Sequence, residues 1–151
     1  MRVRLRSNGP DETFRYGAKL GRLLKAGNTV CLFGELGTGK TVFVKGIASA
    51  LGIPEREITS ASFTIIAEYM GMSGSVPVPF YHIDLYRIRG ANELDSIGIE
   101  EYIGKRGIAV VEWAEKLGDL EGCISVRFEI LDGEERGIDI EGMDEADWHN
   151  Q

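Results

Sequence analysis

No apolar run in this chain approaches the roughly 18 to 20 residues that a membrane-spanning helix requires. The first twelve residues, MRVRLRSNGPDE, carry basic side chains with no apolar stretch behind them, so a secretory signal is not expected there. Cysteine is scarce: Cys31 and Cys123 lie far apart in sequence, form no C-x-x-C, and are expected to be two reduced, buried thiols. There is no internal repeat and no low-complexity tract. A broad basic face is also missing. From residue 119 onward eleven acids stand against Arg127 and Arg136, while residues 1–118 carry 15 basic and 13 acidic side chains. That distribution argues against a protein that grips nucleic acid on its own. The acidic quarter is expected to be a solvated surface, with a docking site for a basic partner as the alternative.

The 151 residues suffice for one domain with a core. Pro10 suits a first helical position, Asp11 and Glu12 a first turn, and Gly27 a stop, with Phe14, Ala18, Leu20, Gly21 and Leu24 as the inward stripe. The run TVCLF predicts a strand buried on both faces, followed by a helix from Lys40 to about Leu51. SFTIIAEYM and VPFYHIDLY, joined by GMSGSVP, predict an antiparallel hairpin. ANELDSIGIEEYI reads as helix broken at Gly98. GIAVVEW predicts a buried strand parallel and adjacent to the first. ISVRFEIL and RGIDIE predict a closing hairpin around DGEE. The expected fold class is α/β, one domain over 1–141 with a mixed parallel and antiparallel sheet flanked by helices, then a polar, frayed tail over 142–151.

GELGTGKT, residues 34–41, matches G-x-x-x-x-G-K-[ST], the P-loop pattern. Gly34, Gly37 and Gly39 let several backbone N–H groups converge, with Glu35, Leu36 and Thr38 between them and Val42 just beyond. The following helix adds its dipole. Lys40 is expected to reach the β- and γ-phosphates, and the Thr41 hydroxyl to join a Mg2+ shell. Such a loop needs a carboxylate at the end of a neighbouring apolar strand. Glu112 closes IAVVE, and Asp84 sits in FYHIDLYR; each is a costly charge in an apolar strand unless it meets a metal, a water or a partner. His82 reads as a packed histidine that orients a neighbour. Arg87 suits either a phosphate or an ion pair with Asp84 or Glu93. Trp113 suits either the core or a ring beside the nucleotide. DSIG, residues 95–98, mimics the D-x-x-G of GTPases, but no N-K-x-D follows to read guanine, so ATP is favoured. No arginine-rich lid is present, which weighs against a small-molecule kinase.

GELGTGKT, TSASFTIIAEY, HIDLYR, ELDSIGIEEY and VVEWAEK, in this order and near this spacing, together resemble the bacterial tRNA threonylcarbamoyladenosine biosynthesis ATPase family, TsaE. The resemblance runs from about residue 10 to residue 140. It implies a small P-loop NTPase that binds ATP with Mg2+ and works with two partner proteins, TsaB and TsaD. That complex forms threonylcarbamoyladenosine next to the anticodon, so tRNA is met indirectly and the expected compartment is the cytoplasm. The ATPase would reset the complex and not transfer the group itself. The resemblance assigns Thr41 and Glu112 to Mg2+ and Asp84 to hydrolysis, with Asp84 also counted among the metal candidates. Lys40 and Ser62 complete the catalytic set. Ser60-Ala61-Ser62-Phe63 corresponds to a first switch, with Ala61 and Ser62 standing where the family has Pro and Thr, and residues 93–102 to a second. Glu12, Thr13 and Arg136, with Glu135 nearby, are implied to lie close to the base, and Trp113 to line the nucleotide site. The alternatives are a nucleotide-gated interaction module that needs no hydrolysis, or a small-molecule kinase.

Overall fold

The computed structural model describes residues 2–35, 37–58, 65–118 and 120–150. Leu36 and the proposed first switch, with Ser62, lie outside them. The strand expected at TVCLF is β2, Thr29–Phe33, with four of its five residues buried. IAVVE is β5, Ile108–Glu112, buried throughout and parallel to β2 with Leu32 opposite Glu112. Two central strands buried on both faces need cover on both, and this produces the layered arrangement.

Pro10 does open the first helix: α1 spans Pro10–Leu23, and α2 spans Lys40–Ala50 from the end of the phosphate loop. Both lie on one face of the sheet, over a core containing Val30, Leu32, Phe43, Ile47, Val110 and Val126. The inward stripe of α1 is rotated from the expected one. Thr13, Gly17, Leu20 and Gly21 are buried, whereas Phe14 and Ala18 are half-buried. The cause is the crossing with α2, where backbone meets backbone. A Cβ on Gly46 would lie 2.2 Å from the Phe14 carbonyl oxygen, and one on Gly17 would lie 2.2 Å from that of Phe43. Gly46→Ala is therefore expected to cost about 3 kcal/mol, because only backbone could yield. A urea titration should show the midpoint lowered with an unchanged slope.

The hairpin is β3, Ile66–Ser73, and β4, Val76–Asp84, antiparallel as expected. Its turn is tighter than GMSGSVP suggested, because Ser73 already pairs with Val76 around Gly74. β4 runs parallel to β5, so Asp84 lies level with Glu112. The second sheet face is covered by α3, Ala91–Ser96, and a 3-10 turn, Ile99–Glu101, with Gly98 breaking them at φ 65. β6, Ile124–Ile130, and β7, Arg136–Glu141, close the sheet as the expected hairpin, and β6 is parallel to β2. No helix among the described residues is long and apolar enough to cross a membrane.

Two elements depart from the expectations. Arg2–Ser7, given no element above, forms β1, antiparallel to β7 at the sheet edge. The sheet order is then β1-β7-β6-β2-β5-β4-β3. Val3 and Ser7 point inward while Arg2 and Arg4 point outward, Arg2 toward Glu141 at 3.7 Å and Arg4 toward Asp139 at 3.8 Å. The segment after residue 141 also differs from the frayed tail expected. Glu145–His149 is a short helix, α4, capped by Asp144, whose side chain accepts from the Ala146 N–H. Trp148 is 2% exposed; its ring lies 6.4 Å from Tyr16 and 4.5 Å from the Lys19 ammonium, both on α1. Burying one indole stabilises an otherwise polar segment by about 2 to 3 kcal/mol.

Candidate functional site

The C-terminal ends of β2, β4 and β5 and the N-terminal ends of α1 and α2 surround a cavity of about 570 Å3. Gly37, Thr38, Gly39, Lys40, Thr41 and Val42 form its floor. Gly37 and Gly39 hold φ of 80 and 98, a backbone region that glycine enters without strain. Thr38 is turned inward, its hydroxyl donating to the Glu35 carbonyl at 2.8 Å. The cradle is thus held in shape by its own short side chains, with the N-terminus of α2 behind it.

Lys40 is 5% exposed. Its ammonium donates to the Gly34 carbonyl and sits 3.6 Å from the centre of the Trp113 ring. Burial lowers its pKa, and the charges of Glu112, Glu115 and Asp84 oppose that shift. The cation is stored on an aromatic face and a carbonyl beside the floor of the cavity. Trp113 holds φ 59, the one positive value among the described non-glycine residues. Such a conformation costs about 1 to 2 kcal/mol. Tyr86, with its ring 5.0 Å away, packs against it. Lys116 reaches across to donate to the carbonyls of Tyr86, at 2.6 Å, and Ile88, at 2.8 Å.

The carboxylates are arranged unequally. Glu112 is 3% exposed; one oxygen lies 2.6 Å from His82 Nε2 and the other accepts from the Thr41 hydroxyl at 3.3 Å. His82 thus orients a neighbour, as its sequence context suggested. Asp84 is half-buried, and its Oδ1 accepts from the Tyr86 N–H at 2.9 Å. Burial raises its pKa, the charge of Glu112 adds to the shift, and the Tyr86 hydrogen bond opposes it. The result is one fixed carboxylate next to a hydroxyl, beside a second carboxyl that burial biases toward its protonated form.

Asp84, Glu112, Trp113, Thr13 and Arg136 all reach the cavity, together with Lys40 and Thr41. Arg136 donates to the Gly37 carbonyl at 3.0 Å, which joins the start of β7 to the phosphate loop. Thr13, buried, shares a 2.7 Å hydrogen bond with Ser7. Other residues named above are placed elsewhere. Glu12 does not line the cavity; its carboxylate accepts from the Asn8 N–H at 2.9 Å and so caps the entry to α1. Glu35 is exposed, Gly34 contributes its carbonyl to Lys40, and Glu135 pairs with Arg6. Arg87 lines the cavity, while Glu93 accepts from the Arg89 N–H. Gly9, Pro10, Tyr86 and Glu134 line the cavity without having been singled out for it. Tyr86 was the most accessible of these, since it stands inside HIDLYR.

This donor set fits a polyphosphate with a divalent cation. The loop offers N–H groups and a buried cation, and Thr41 with Glu112 offers a hydroxyl beside a carboxylate. Among the described residues, no group of three or more His, Cys, Asp or Glu side chains could hold a metal unaided. A divalent ion at Thr41 and Glu112 would therefore lean on phosphate oxygens, as Mg2+ commonly does.

A family model described as threonylcarbamoyl adenosine biosynthesis protein TsaE matches residues 7–138. The chain is 37% identical over 140 residues to the tRNA threonylcarbamoyladenosine biosynthesis protein TsaE of Treponema pallidum, covering 91% of this chain and 99% of that protein. It is 38% identical over 112 residues to the protein of the same description from Bacillus subtilis, covering 74% of this chain and 66% of that one. Among solved structures, the crystal structure of Bacillus subtilis YdiB matches with a TM-score of 0.72 at 31% identity, over 93% of this chain and 84% of the other.

Proposed function

The chain belongs to the TsaE family, and on that premise we propose that it is the Mg2+-dependent ATP-binding and ATP-hydrolysing component of the cytoplasmic machinery that forms threonylcarbamoyladenosine next to the anticodon of tRNA. Its turnover cycles a partner complex of TsaD and TsaB, and the transfer of the group belongs to those partners. The observation that carries this reading is the contact between Thr41, at the start of α2, and the buried Glu112, at the end of β5.

In this reading Lys40 leaves the Gly34 carbonyl and the Trp113 face for the β- and γ-phosphates. Thr41 and Glu112 would hold Mg2+, with His82 keeping the Glu112 carboxylate in place. The ion would supply neutralisation of charge on the phosphate oxygens. Asp84, level with Glu112 and partly withdrawn from solvent, orients the attacking water and takes up its proton. Thr13 and Arg136 wall the nucleotide on the side away from the phosphates. Ser62, expected from sequence in the catalytic set, lies outside the described residues.

The test is ATP hydrolysis measured alone and across a titration of TsaB and TsaD with tRNA. Hydrolysis should be slow alone and rise at least about tenfold with the partners. Turnover that stays flat through the titration would sink the proposal. Sustained multiple turnover of tRNA modification with a non-hydrolysable ATP analogue would favour a nucleotide-gated module in its place.

A further inference from the structure

The sheet face opposite α1 and α2 holds a second cavity, of about 410 Å3, with Cys31, Cys123 and Ser125 in its wall. Register brings the two cysteines together. Cys31 on β2 stands opposite Ser125 on β6. Cys123 immediately precedes β6 and lines the same cavity as Ser125. Cys123 Sγ lies 3.6 Å from Ser125 Oγ. Cys31 and Cys123 therefore line one cavity, with Cys31 directly across from the serine that Cys123 touches. The two are not alike in access: Cys31 is 1% exposed, whereas Cys123 is half-buried and not the buried thiol expected from sequence.

Burial, then the charge of Cys123 and the bond between the two side chains, push the Cys31 thiol well above the ordinary range. The share of that shift that comes from the charge of Cys123 is lost once Cys123 is oxidised to a neutral sulfenic acid. Cys123 is the sulfur placed to meet a reagent arriving through the cavity, and Cys31 the one placed to resolve the product.

We propose that Cys31 and Cys123 form a redox-modification site, which hydrogen peroxide or another small hydroperoxide converts to an intramolecular disulfide and thiol reductants restore. In the first step the Cys123 thiolate attacks a peroxide oxygen. The O–O bond breaks, the released hydroxide takes up a proton and leaves as water, and Cys123 becomes a sulfenic acid. In the second, Cys31 Sγ attacks Cys123 Sγ. The S–S bond forms, the S–O bond breaks, and the Cys31 proton leaves with hydroxide as a second water. The two thiols lose two electrons and two protons, and the peroxide is reduced to two waters. The bond would fasten β6 to β2 just ahead of Gly34, on the strand that delivers the phosphate loop.

The experiment exposes the reduced full chain to millimolar hydrogen peroxide, quenches with catalase, counts thiols after denaturation and maps the peptides by mass. The expected result is loss of both thiols, a linked peptide containing Cys31 and Cys123 that is lighter by two hydrogens than the sum of its parts, and full recovery with dithiothreitol. Cys31→Ser should leave a dimedone-reactive sulfenic acid on Cys123. Cys123→Ser should slow loss of the remaining thiol about tenfold or more. Two intact thiols, a dimedone adduct on wild-type Cys123 with no linked peptide, or disulfides between chains would each overturn the proposal. The linked peptide is measured in the wild-type chain, so the outcome does not depend on either variant folding.

Discussion

Lys40→Ala is expected to weaken ATP binding by about 100-fold while leaving the fold intact. The ammonium is already desolvated, held by the Gly34 carbonyl and the Trp113 ring, so moving it to a phosphate costs little further dehydration. A charged hydrogen bond is worth about 1.5 to 3 kcal/mol, and a 100-fold change corresponds to about 2.7 kcal/mol. The fold survives because burial works against this cation: its pKa is lowered. Titration with a fluorescent ATP analogue measures the first effect, and a thermal melt the second. Binding within about threefold of wild type would remove Lys40 from the phosphate site.

Asp84→Asn separates binding from turnover. Hydrolysis falls by about 100- to 10,000-fold, the range for loss of a positioned acid or base, while ATP binding changes by less than about threefold. A second readout is independent of activity. Burial raises the Asp84 pKa above its ordinary value of 3.8. Below that ordinary value the carboxyl is protonated in both folded and unfolded chains, and contributes no difference. Above the raised value the folded chain carries the full cost of the buried charge. Asn removes that cost, so the variant should melt higher than wild type at neutral pH. Its advantage should fade as pH falls through the raised value toward 3.8. Normal hydrolysis, or a lower melting temperature at neutral pH, would contradict the role given to this side chain.

The glycine-rich loop, Asp84 and Glu112, which the structure brings to one cavity, stood out in the sequence because each signal is local. A short apolar run, glycines at fixed spacing, and a lone acid at the end of a strand need no knowledge of distant segments. The hairpins were legible for the same reason, and the pairing of β2 with β5 was expected because both are short, continuously apolar runs of the kind that fill the centre of a parallel sheet. What escaped depends on contacts between remote parts of the chain. β1 shows the alternation of a strand, with Val3 and Ser7 inward and arginines outward, but it becomes a strand by pairing with β7. α4 has only Ala146 and Trp148 as apolar residues, and its docking depends on the α1 surface around Tyr16 and Lys19. The resemblance put Glu12 near the base, whereas in the structure its carboxylate accepts from the Asn8 N–H and the residue does not line the cavity. The meeting of Cys31 and Cys123 follows from parallel register between β2 and β6, which composition does not encode.

The pairing of β1 with β7 also bears on when the nucleotide cavity comes into being. Arg2 stands opposite Glu141 and Ser7 opposite Arg136, so two strands from distant parts of the chain lie side by side. Closing a loop of that length is slow compared with forming the hairpins and helices between. Gly9, Pro10 and Thr13 follow directly from β1, and Arg136, which opens β7, lines the same cavity beside them. During synthesis the phosphate loop and α2 can assemble against β5 before β7 is made. This wall is complete only once β7 has joined β1.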